Sequence, residues 1–371
     1  MKFLDCIQIS PPVSLVKGKI YSFIEMANVS TVFREPDYID VKAFSSGTKF
    51  EDGDTVIARI EPCLQNGKRF FVKGIGKGFG STEFLVFRPK TIDVDNKYLY
   101  HFMKTEYIQQ LMVSSMTGAT GRQRVNNDIF SDLEISLPDL PTQRCIASIL
   151  SAYDDLIENN RRQIKLLEEV AQRLYSEWFV ELRFPGHESV KVVDGVPEGW
   201  MKVCLKDICE TKTGKKDANF GCDDGAYPFF TCAQAPIKAP SYSFDCSAVI
   251  LAGNGDFNVR LYRGKFEAYQ RTYVLSPANT EYLFLLYNAV SRNMNVLTKG
   301  ASGSTIKFLT KGMIDSIELL IPSSQLLTTY NQNSEALQKS IEALHRKVAL
   351  AVEARDRLLP KLMNSGMEEL L

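Results

Sequence analysis

Histidine and paired cysteines are scarce in this sequence of 371 residues. Its three histidines, His101, His187 and His345, lie far apart, and none of its eight cysteines forms a CxxC pair. This pattern argues against a zinc site and favours reduced thiols in a cytoplasm. The N-terminus lacks the basic and apolar regions of a signal peptide, and no apolar run approaches the length of a membrane span. We therefore expect a cytoplasmic protein without a metal site or membrane contact.

An excess of charge of either sign is also missing, since Lys plus Arg and Asp plus Glu number 44 each. The composition therefore gives no general electrostatic argument for binding nucleic acid. No GxxxxGK[ST] phosphate loop and no glycine-rich fingerprint between a strand and a helix is present. We therefore expect neither an ATP motor nor a methyltransferase site.

Two long stretches carry apolar residues at steps of three and four, which is the period of one helical face. The first, from Thr142 to Leu182, predicts a helix of about 60 Å at 1.5 Å per residue, which needs a second helix beside it. The second runs from Gln325 to about Leu362, and we expect Pro360 to kink or end it. The residues predicted to pack along the seam between these helices are Ile146, Ile149, Tyr153, Ile157, Ile164, Leu167, Leu174, Trp178, Leu337, Ile341, Leu344, Val348 and Leu358.

The segments that precede the two long helices repeat each other. Tyr98 aligns with Tyr282, and Leu133–Pro138 aligns with Ile317–Pro322, both at an offset of 184 residues. The sequence therefore predicts two α/β (α+β) modules in tandem duplication, joined by two long α-helices that pack as an antiparallel coiled coil. The expected domains are a first module over residues 1–140, a first helix over 141–184, a second module over 185–322 and a second helix over 323–371.

Strand patterns and glycine-rich turns fill both modules. The expected strands are Thr55–Ile60, Phe70–Lys73, Glu83–Arg88, Leu133–Pro138, Ser247–Ala252, Arg271–Leu275 and Ile317–Pro322. The expected helices inside the modules are Asn96–Met112 and a helix that begins at Tyr282. In each module a polar, glycine-containing loop follows the helix.

Two kinds of basic segment make the modules candidates for DNA contact. The stretch from Arg59 to Lys90 has a local net charge of +5, and the loop after each module's helix combines glycines, hydroxyls and basic side chains. Glycine lets backbone amides approach phosphate, and arginine or glutamine can read guanine or adenine edges. A glycine-stabilised turn and a solvated charged surface are the alternative interpretations. The candidate DNA-binding residues are Lys68, Arg69, Lys73, Lys77, Thr120, Arg122, Gln123, Arg124, Lys215, Lys216, Arg260, Arg263, Lys265, Arg271, Lys299, Ser302, Ser304 and Lys307.

Residues along the first long helix and a segment near the C-terminus match one known family. They are Leu137, Pro138, Pro141, Gln143, Ile146, Ala147, Leu150, Asp154, Ile157, Asn160, Ile164, Leu167, Leu174, Trp178, Phe179 and the segment from Arg355 to Met363. In these residues and in its layout the chain resembles the DNA-specificity subunit of type I restriction-modification systems, which has two target-recognition domains and two helical spacers. One departure is the segment from Ile321 to Leu326, which lacks the second proline of the first copy.

The resemblance implies a non-catalytic subunit that recognises an asymmetric, bipartite DNA target, with one recognition domain for each half-site. It also implies partners besides double-stranded DNA. These are two modification subunits that bind S-adenosylmethionine and methylate adenine at N6, and a restriction subunit that hydrolyses ATP with Mg²⁺. The chain itself is then expected to bind no cofactor directly.

Two other functions are compatible with parts of the sequence. A coiled-coil scaffold whose two globular modules bind proteins is supported by the zero net charge, and strongly salt-dependent binding to duplex DNA would discriminate against it. A free-standing restriction-methylation enzyme would need a methyltransferase domain, and no motif for one is present.

Overall fold

The computed structural model describes residues 1–301 and 307–364. The chain forms two compact units. The first contains Met1–Ile164 together with the chain from Ala343 onwards, and the second contains Lys165–Glu342. Each unit therefore includes one of the two predicted modules and part of both long helices. The domain boundaries expected from the sequence stay a prediction.

The first unit is built on two four-stranded sheets. Up to the end of the first long helix, the elements are α1 (Phe3–Cys6), β1 (Ile7–Ile9), β2 (Ile20–Ile24), β3 (Asp40–Ala43), β4 (Thr48–Glu51), β5 (Thr55–Ala58), β6 (Arg69–Phe71), β7 (Lys77–Gly80), β8 (Phe84–Pro89), α2 (Asn96–Phe102), α3 (Glu106–Ser114) and α4 (Leu140–Phe179). One sheet, in the order β1-β8-β5-β6, is antiparallel throughout. The other, β3-β2-β7-β4, is antiparallel except for the parallel pair of β2 and β7.

Alternation along β5 explains how one sheet serves two hydrophobic cores. All four residues of this strand are buried, and successive side chains of a strand point to opposite faces. Val56 packs with Phe50 in a cluster formed by strands of both sheets. Ile57 points the other way and packs with Leu99 and Ile108 of the two helices. The apolar run in the sequence thus reflects a strand that is covered on both faces.

The second unit is built on a six-stranded sheet. Its elements are β9 (Val192–Val193), β10 (Val196–Pro197), β11 (Met201–Cys204), α5 (Leu205–Ile208), β12 (Cys209–Thr213), β13 (Tyr227–Phe230), β14 (Ile237–Ala239), β15 (Phe244–Ala252), β16 (Val259–Ala268), β17 (Thr272–Pro277), α6 (Leu283–Lys299), α7 (Lys311–Asp315), β18 (Glu318–Ile321) and α8 (Ser324–Asn364). The strand order is β12-β17-β15-β16-β13-β14, and only β13 and β16 pair in parallel among these strands. The apolar side of α6, including Leu286 and Val290, packs in one cluster with Val249 of the central strand and Leu275 of β17.

Residues 184 positions apart play the same local part in the two modules. The side chains of Asp95 and Asn279 each accept a hydrogen bond from a backbone N–H in the first helical turn that follows them. Asn126 and Thr310 cap a later short helix in the same way. Side-chain capping of free N–H groups stabilises a helix start. The internal repeat predicted from the sequence is therefore confirmed.

The single helix predicted over Asn96–Met112 is wrong in its middle, where α2 ends at Phe102 and α3 begins at Glu106. The carbonyl oxygen of Met103 accepts a hydrogen bond at 2.7 Å from Nη1 of the buried Arg69. This carbonyl is therefore directed to a side chain from β6 rather than to a backbone N–H one turn further along. The apolar pattern contained no sign of this interruption.

The strand predicted at Leu133–Pro138 is also wrong, although its counterpart β18 does form and pairs with β11. A short contact with the N-terminal segment is present instead. The backbone N–H of Phe3 donates to the carbonyl oxygen of Leu133 at 2.8 Å, and the N–H of Ile135 donates to the carbonyl oxygen of Met1 at 2.9 Å. No longer ladder forms there because the N-terminal segment turns into α1 at Phe3.

Pro360 does not end the second long helix, since α8 continues to Asn364. A proline so close to a helix end removes only one late hydrogen bond. The following turn also carries Leu362, which is buried against α4 residues such as Ala147 and Leu150. Burial of this side chain favours one more helical turn.

The two long helices contact each other inside each unit. In the first unit Leu150 of α4 packs in one cluster with Leu359 and Leu362 of α8. In the second unit the rings of Trp178 and Tyr330 lie 5.8 Å apart. Continuous pairing of the helices as a coiled coil remains a prediction.

The predicted seam residues are all at least half-buried. The buried ones are Ile146, Ile157, Ile164, Trp178, Ile341, Leu344 and Val348, and the half-buried ones are Ile149, Tyr153, Leu167, Leu174, Leu337 and Leu358. Leu156 and Val170 follow the same apolar period but are exposed. The apolar period alone thus defines a wider face than the one that is buried. Packing of the predicted seam residues along one continuous seam stays a prediction.

Two charged residues that lie between the apolar positions of α4 are buried. Asp154 accepts a hydrogen bond from Nη1 of Arg355 at 2.7 Å, and both side chains are only 1% exposed. One turn later Glu158 accepts two hydrogen bonds from Arg34 at 2.7 and 2.6 Å. Burial raises the pKa of Glu158, and the hydrogen bonds from Arg34 oppose that shift. These ion pairs join α4 to α8 and to the loop before β3 within the first unit.

We predict that Leu344→Glu lowers the free energy of unfolding by about 3–5 kcal/mol, because it replaces a buried apolar side chain with a charge. Leu344 is 8% exposed. The matched control is Leu350→Glu on the same helix, where the leucine is 65% exposed and we expect almost no change. Chemical denaturation measures both variants. Equal stability of the two would contradict the buried seam.

We predict a loss of about 3–5 kcal/mol for Arg355→Ala, because the variant leaves the buried carboxylate of Asp154 unpaired. Arg357→Ala is the control, since Arg357 is 78% exposed and pairs with Glu353 one turn away. The double variant Asp154→Ala/Arg355→Ala removes both charges and should lose less than the sum of the single losses. Additive losses in denaturant titrations would contradict a direct ion pair.

Candidate nucleic-acid interface

In the first module, one end of the sheet β1-β8-β5-β6 is joined to the loop that follows α3. Beyond the last residue of β5, the carbonyl oxygen of Arg59 accepts a hydrogen bond from the backbone N–H of Val125 at 2.9 Å. Two residues further, the N–H of Glu61 donates to the carbonyl oxygen of Gln123 at 3.0 Å. The predicted glycine-containing loop is thereby fixed to the sheet on its C-terminal side.

The loop, residues 117–124, is closed by its own backbone. Thr117 and Arg124 exchange two N–H to carbonyl hydrogen bonds, both of 2.9 Å. Inside it the N–H of Arg122 donates to the carbonyl oxygen of Ala119 at 2.9 Å, which makes a tight turn. Gly121 in this turn has a φ of 82°, a conformation that glycine adopts without strain. We call this element the first-module loop.

The first-module loop exposes the side chains of Thr120 and Arg122, while Gln123 is half-buried. Arg124 turns towards Glu83, the residue before β8, and donates from Nε at 2.8 Å and from Nη2 at 2.7 Å. These hydrogen bonds, foremost among the causes, lower the pKa of the Glu83 carboxyl. At neutral pH the pair is therefore fully ionised.

The other four candidates of the first module are spread over different places. Lys68 lies beside the same sheet end, because its carbonyl oxygen accepts from the N–H of Ala58 at 3.0 Å, while its Nζ donates to Met26 at 2.8 Å. Lys73 instead lies 3.1 Å from Asp155 of α4. Lys77 is exposed at the start of β7 in the other sheet.

Arg69 does not lie at the surface and is removed from the candidates. Its side chain is 7% exposed. Nη1 donates to the carbonyl oxygen of Met103, and Nη2 donates to Oε1 of Gln109 at 2.6 Å. Burial also lowers the pKa of its guanidinium. The prediction was wrong because a count of basic residues does not distinguish a structural arginine from an exposed one.

The second module has the same attachment, with the donor residue 184 positions and the acceptor residue 194 positions further along the chain. The N–H of Leu309 donates to the carbonyl oxygen of Gly253 at 2.8 Å, as Val125 does to Arg59 in the first module. Phe308 takes the position of Arg124 and pairs with Asn254. Lys307, which is exposed, precedes this pairing directly. The two modules thus present equivalent ends of their sheets.

Several basic candidates of the second module gather at this end. The N–H of Gly253 donates to the carbonyl oxygen of Arg271 at 2.8 Å, and the carbonyl of Lys216 accepts from Gln270 at 2.9 Å. Arg260 donates through Nη2 to the carbonyl oxygen of Ala233 at 3.3 Å. The candidates placed around this end are Lys216, Arg260, Arg271 and Lys307, and Lys215 directly precedes Lys216 in the chain.

The remaining candidates of the second module lie elsewhere or outside the described residues. Arg263 pairs with Glu335 of α8 through two bonds of 3.0 and 2.7 Å. Lys265 lies over the ring of Tyr242, and Lys299 is exposed at the last position of α6. Ser302 and Ser304 fall outside the described residues.

Sequence reasoning missed the uncharged and acidic groups of these two sheet ends. Asn258 donates to the carbonyl oxygen of Ala233, and Gln270 donates to Asp217 at 2.7 Å, so both lie at this end of the second module's sheet. Glu61 and Glu83 fix the first-module loop. Counting basic residues gives no signal for such groups, because their role depends on partners that are distant in the sequence.

The architecture defines a tandem-repeat α/β protein in which each module is followed by a long helix. The description of the matching family is type I restriction modification DNA specificity domain, and the match covers residues 16–169 and 197–353, one copy for each module. The chain therefore belongs to the family of type I restriction-modification specificity subunits.

Known relatives are described as type I restriction enzyme specificity subunits. The EcoDI specificity subunit of Escherichia coli is 41% identical over 150 residues, which are 40% of this chain and 33% of that protein. The MjaIX specificity subunit of Methanocaldococcus jannaschii is 23% identical over 297 residues, which are 73% of this chain and 68% of that protein. The EcoDI match thus spans about a third of that relative's length.

A solved structure shares the fold. The S subunit of a type I restriction-modification system from M. genitalium aligns with a TM-score of 0.58 at 15% identity, over 98% of this chain and 96% of that one. Within residues 1–301 and 307–364, no helix is both long and apolar enough to cross a membrane. The same residues contain no cluster of three or more His, Cys, Asp or Glu side chains arranged to hold a metal ion.

We predict that Gly121→Ala lowers the free energy of unfolding by about 1–2 kcal/mol, because an L-residue is strained at its positive φ. A Cβ at this position would meet no atom within 4 Å, so backbone strain is the only cost. The control is Gly312→Ala in α7, where space is also free and φ is negative. That change should raise stability by about 0.4–1 kcal/mol. An unchanged melting temperature for Gly121→Ala would argue against the turn.

Proposed function

We propose that this chain is the non-catalytic DNA sequence-specificity subunit of a type I restriction-modification complex. The observation that carries the proposal is the repeat itself. The chain contains two copies of the specificity domain, and in each module the loop after the helix attaches at the equivalent end of the sheet beside basic residues. A protein that reads two short sequences needs two such surfaces.

The target that fits these two surfaces is bipartite and asymmetric. The first-module loop carries Thr120, Arg122 and Gln123, and arginine and glutamine are suited to guanine and adenine edges in the major groove. At the corresponding end of the second module, Arg260 lies in β16 and Arg271 lies directly before β17. Since the two sets of side chains differ, each module reads its own half-site.

The two long helices supply the spacer in this proposal. We infer that α4 and α8 pack as an antiparallel coiled coil along their length, as the contacts inside each unit suggest. Base pairs rise by about 3.4 Å, so the spacer fixes how many unread pairs separate the half-sites and keeps both major grooves in phase.

Catalysis in this proposal belongs to partner subunits. Two modification subunits bind S-adenosylmethionine and methylate adenine at N6, and a restriction subunit uses ATP and Mg²⁺. The specificity subunit binds no cofactor itself and works in the cytoplasm. Its charged helical surfaces and two modules bring the modification subunits to the adenines of the two half-sites.

The test is co-expression of the full chain with a type I modification subunit from the same organism, followed by sequencing of methylated adenine in the host DNA. We predict a split motif with one methylated adenine in each half-site, on opposite strands. The chain purified alone should transfer no methyl group to DNA. Methylation by the chain alone would contradict the non-catalytic assignment. Failure to form a complex together with unmethylated DNA would favour a protein-binding scaffold.

A further inference from the structure

The basic residues of the first-module loop differ in how much of their hydrogen-bonding capacity is free. Nε and Nη2 of Arg124 both bind the carboxylate of Glu83, and Nη1 donates to the carbonyl oxygen of Arg122 at 3.3 Å. All three nitrogens of this guanidinium are therefore used inside the module. For the side chain of Arg122, which is exposed, no such partner is found among the described residues.

We propose that Glu83 and Arg124 form a positioning pair that fixes the first-module loop, and that Arg124 does not itself read DNA. The side chains presented to the bases are then Thr120, Arg122 and Gln123. This inference rests on the proposed function, because it divides the predicted reading residues into those that touch DNA and those that hold the loop in place.

The position of Glu83 in the backbone supports a fixed geometry. Its carbonyl oxygen accepts the N–H of Arg59 at 2.9 Å, and the carbonyl of Arg59 accepts the N–H of Val125, which follows the loop. Backbone and side chain of Glu83 thus bind the two segments that support the loop. A bidentate arginine–carboxylate pair restrains both distance and orientation.

Charge explains why a carboxylate is tolerated at a surface that meets phosphates. An unpaired Glu83 would repel the DNA backbone, but Arg124 neutralises it at 2.7–2.8 Å. The pair is partly exposed, so it contributes little to global stability. Variants of the pair should therefore fold, and their effect should be seen in DNA recognition.

No equivalent of this pair is found among the residues of the second module that the structure describes. Phe308 stands where Arg124 stands in the first module, and it pairs through its backbone with Asn254. Disruption of the Glu83–Arg124 pair should consequently affect only the half-site that the first module reads. The other half-site serves as an internal reference in the same molecule.

The experiment is a charge swap in the full chain, co-expressed with the modification subunit. The variants are Glu83→Arg, Arg124→Glu and the double variant that carries both changes. The readout is the methylated motif, together with binding to duplexes altered in one half-site at a time. Each single variant should reduce discrimination at one half-site roughly tenfold or more, which is the usual effect of a displaced base contact. Discrimination at the other half-site should not change.

The double variant separates positioning from reading. It restores an opposite-charge pair with the same net charge, so discrimination should return to within about threefold of the wild type if the pair only positions the loop. Arg122→Ala should lose discrimination at the same half-site. Failure of the double variant to recover, after both single variants lose discrimination, would show that Arg124 contacts DNA directly and would overturn the inference. Unchanged single variants would also overturn it.

The matched control is the same swap at Glu177 and Arg183, a bidentate pair with distances of 2.6 and 2.7 Å at the end of α4. We expect no change in discrimination for its single or double variants, and a change at either half-site would count against a specific role of the Glu83–Arg124 pair. Absence of DNA binding and methylation with the wild-type chain would instead reject the proposed function, and the inference with it. The two failures are therefore distinguishable.

Discussion

The ion pair between Asp154 and Arg355 is the constraint on which the first unit depends. Two charges removed from water are tolerated only when they are paired and hydrogen-bonded. Arg355 meets this requirement by donating to Asp154 of α4 and to the carbonyl oxygen of Val32. The last part of α8 is thereby bound both to α4 and to the loop before β3. Next to the pair, burial and the neighbouring positive charges lower the pKa of His101 well below its usual range.

This arrangement explains why a unit of the fold includes residues from both ends of the sequence. Arg34 reaches Asp155 and Glu158 from a loop of the first module, so the module is attached to α4 by charge as well as by apolar packing. Rigid attachment matters for the proposed function, because a reading surface defines a half-site only if its orientation to the spacer is fixed. The ion pairs fix the orientation of the module to α4, and the attachment of the first-module loop fixes the orientation of the proposed reading side chains to the module.

Much of the architecture was predictable because it depends on local periodicity. The apolar steps along α4 and α8 located both long helices, and the offset of 184 residues located the repeat. Predictions failed where one distant partner decided the outcome. Arg69 was expected at the surface but binds the carbonyl oxygen of Met103. Met103 lies between α2 and α3, where the helix predicted over Asn96–Met112 is interrupted. The strand predicted at Leu133–Pro138 did not form, because the N-terminal segment beside it is too short to pair along its length.

By itself, the sequence determined the two long helices, the duplication and the family, since periodicity, spacing and motif residues can be read along the chain. Only the tertiary structure decided which charges are buried and which basic residues share a surface. Asp154 and Arg355 are 201 positions apart, and Glu83 and Arg124 are 41 apart. The free energy of a charge depends on its solvation and its partner, and both are set by residues that folding brings together from distant parts of the chain.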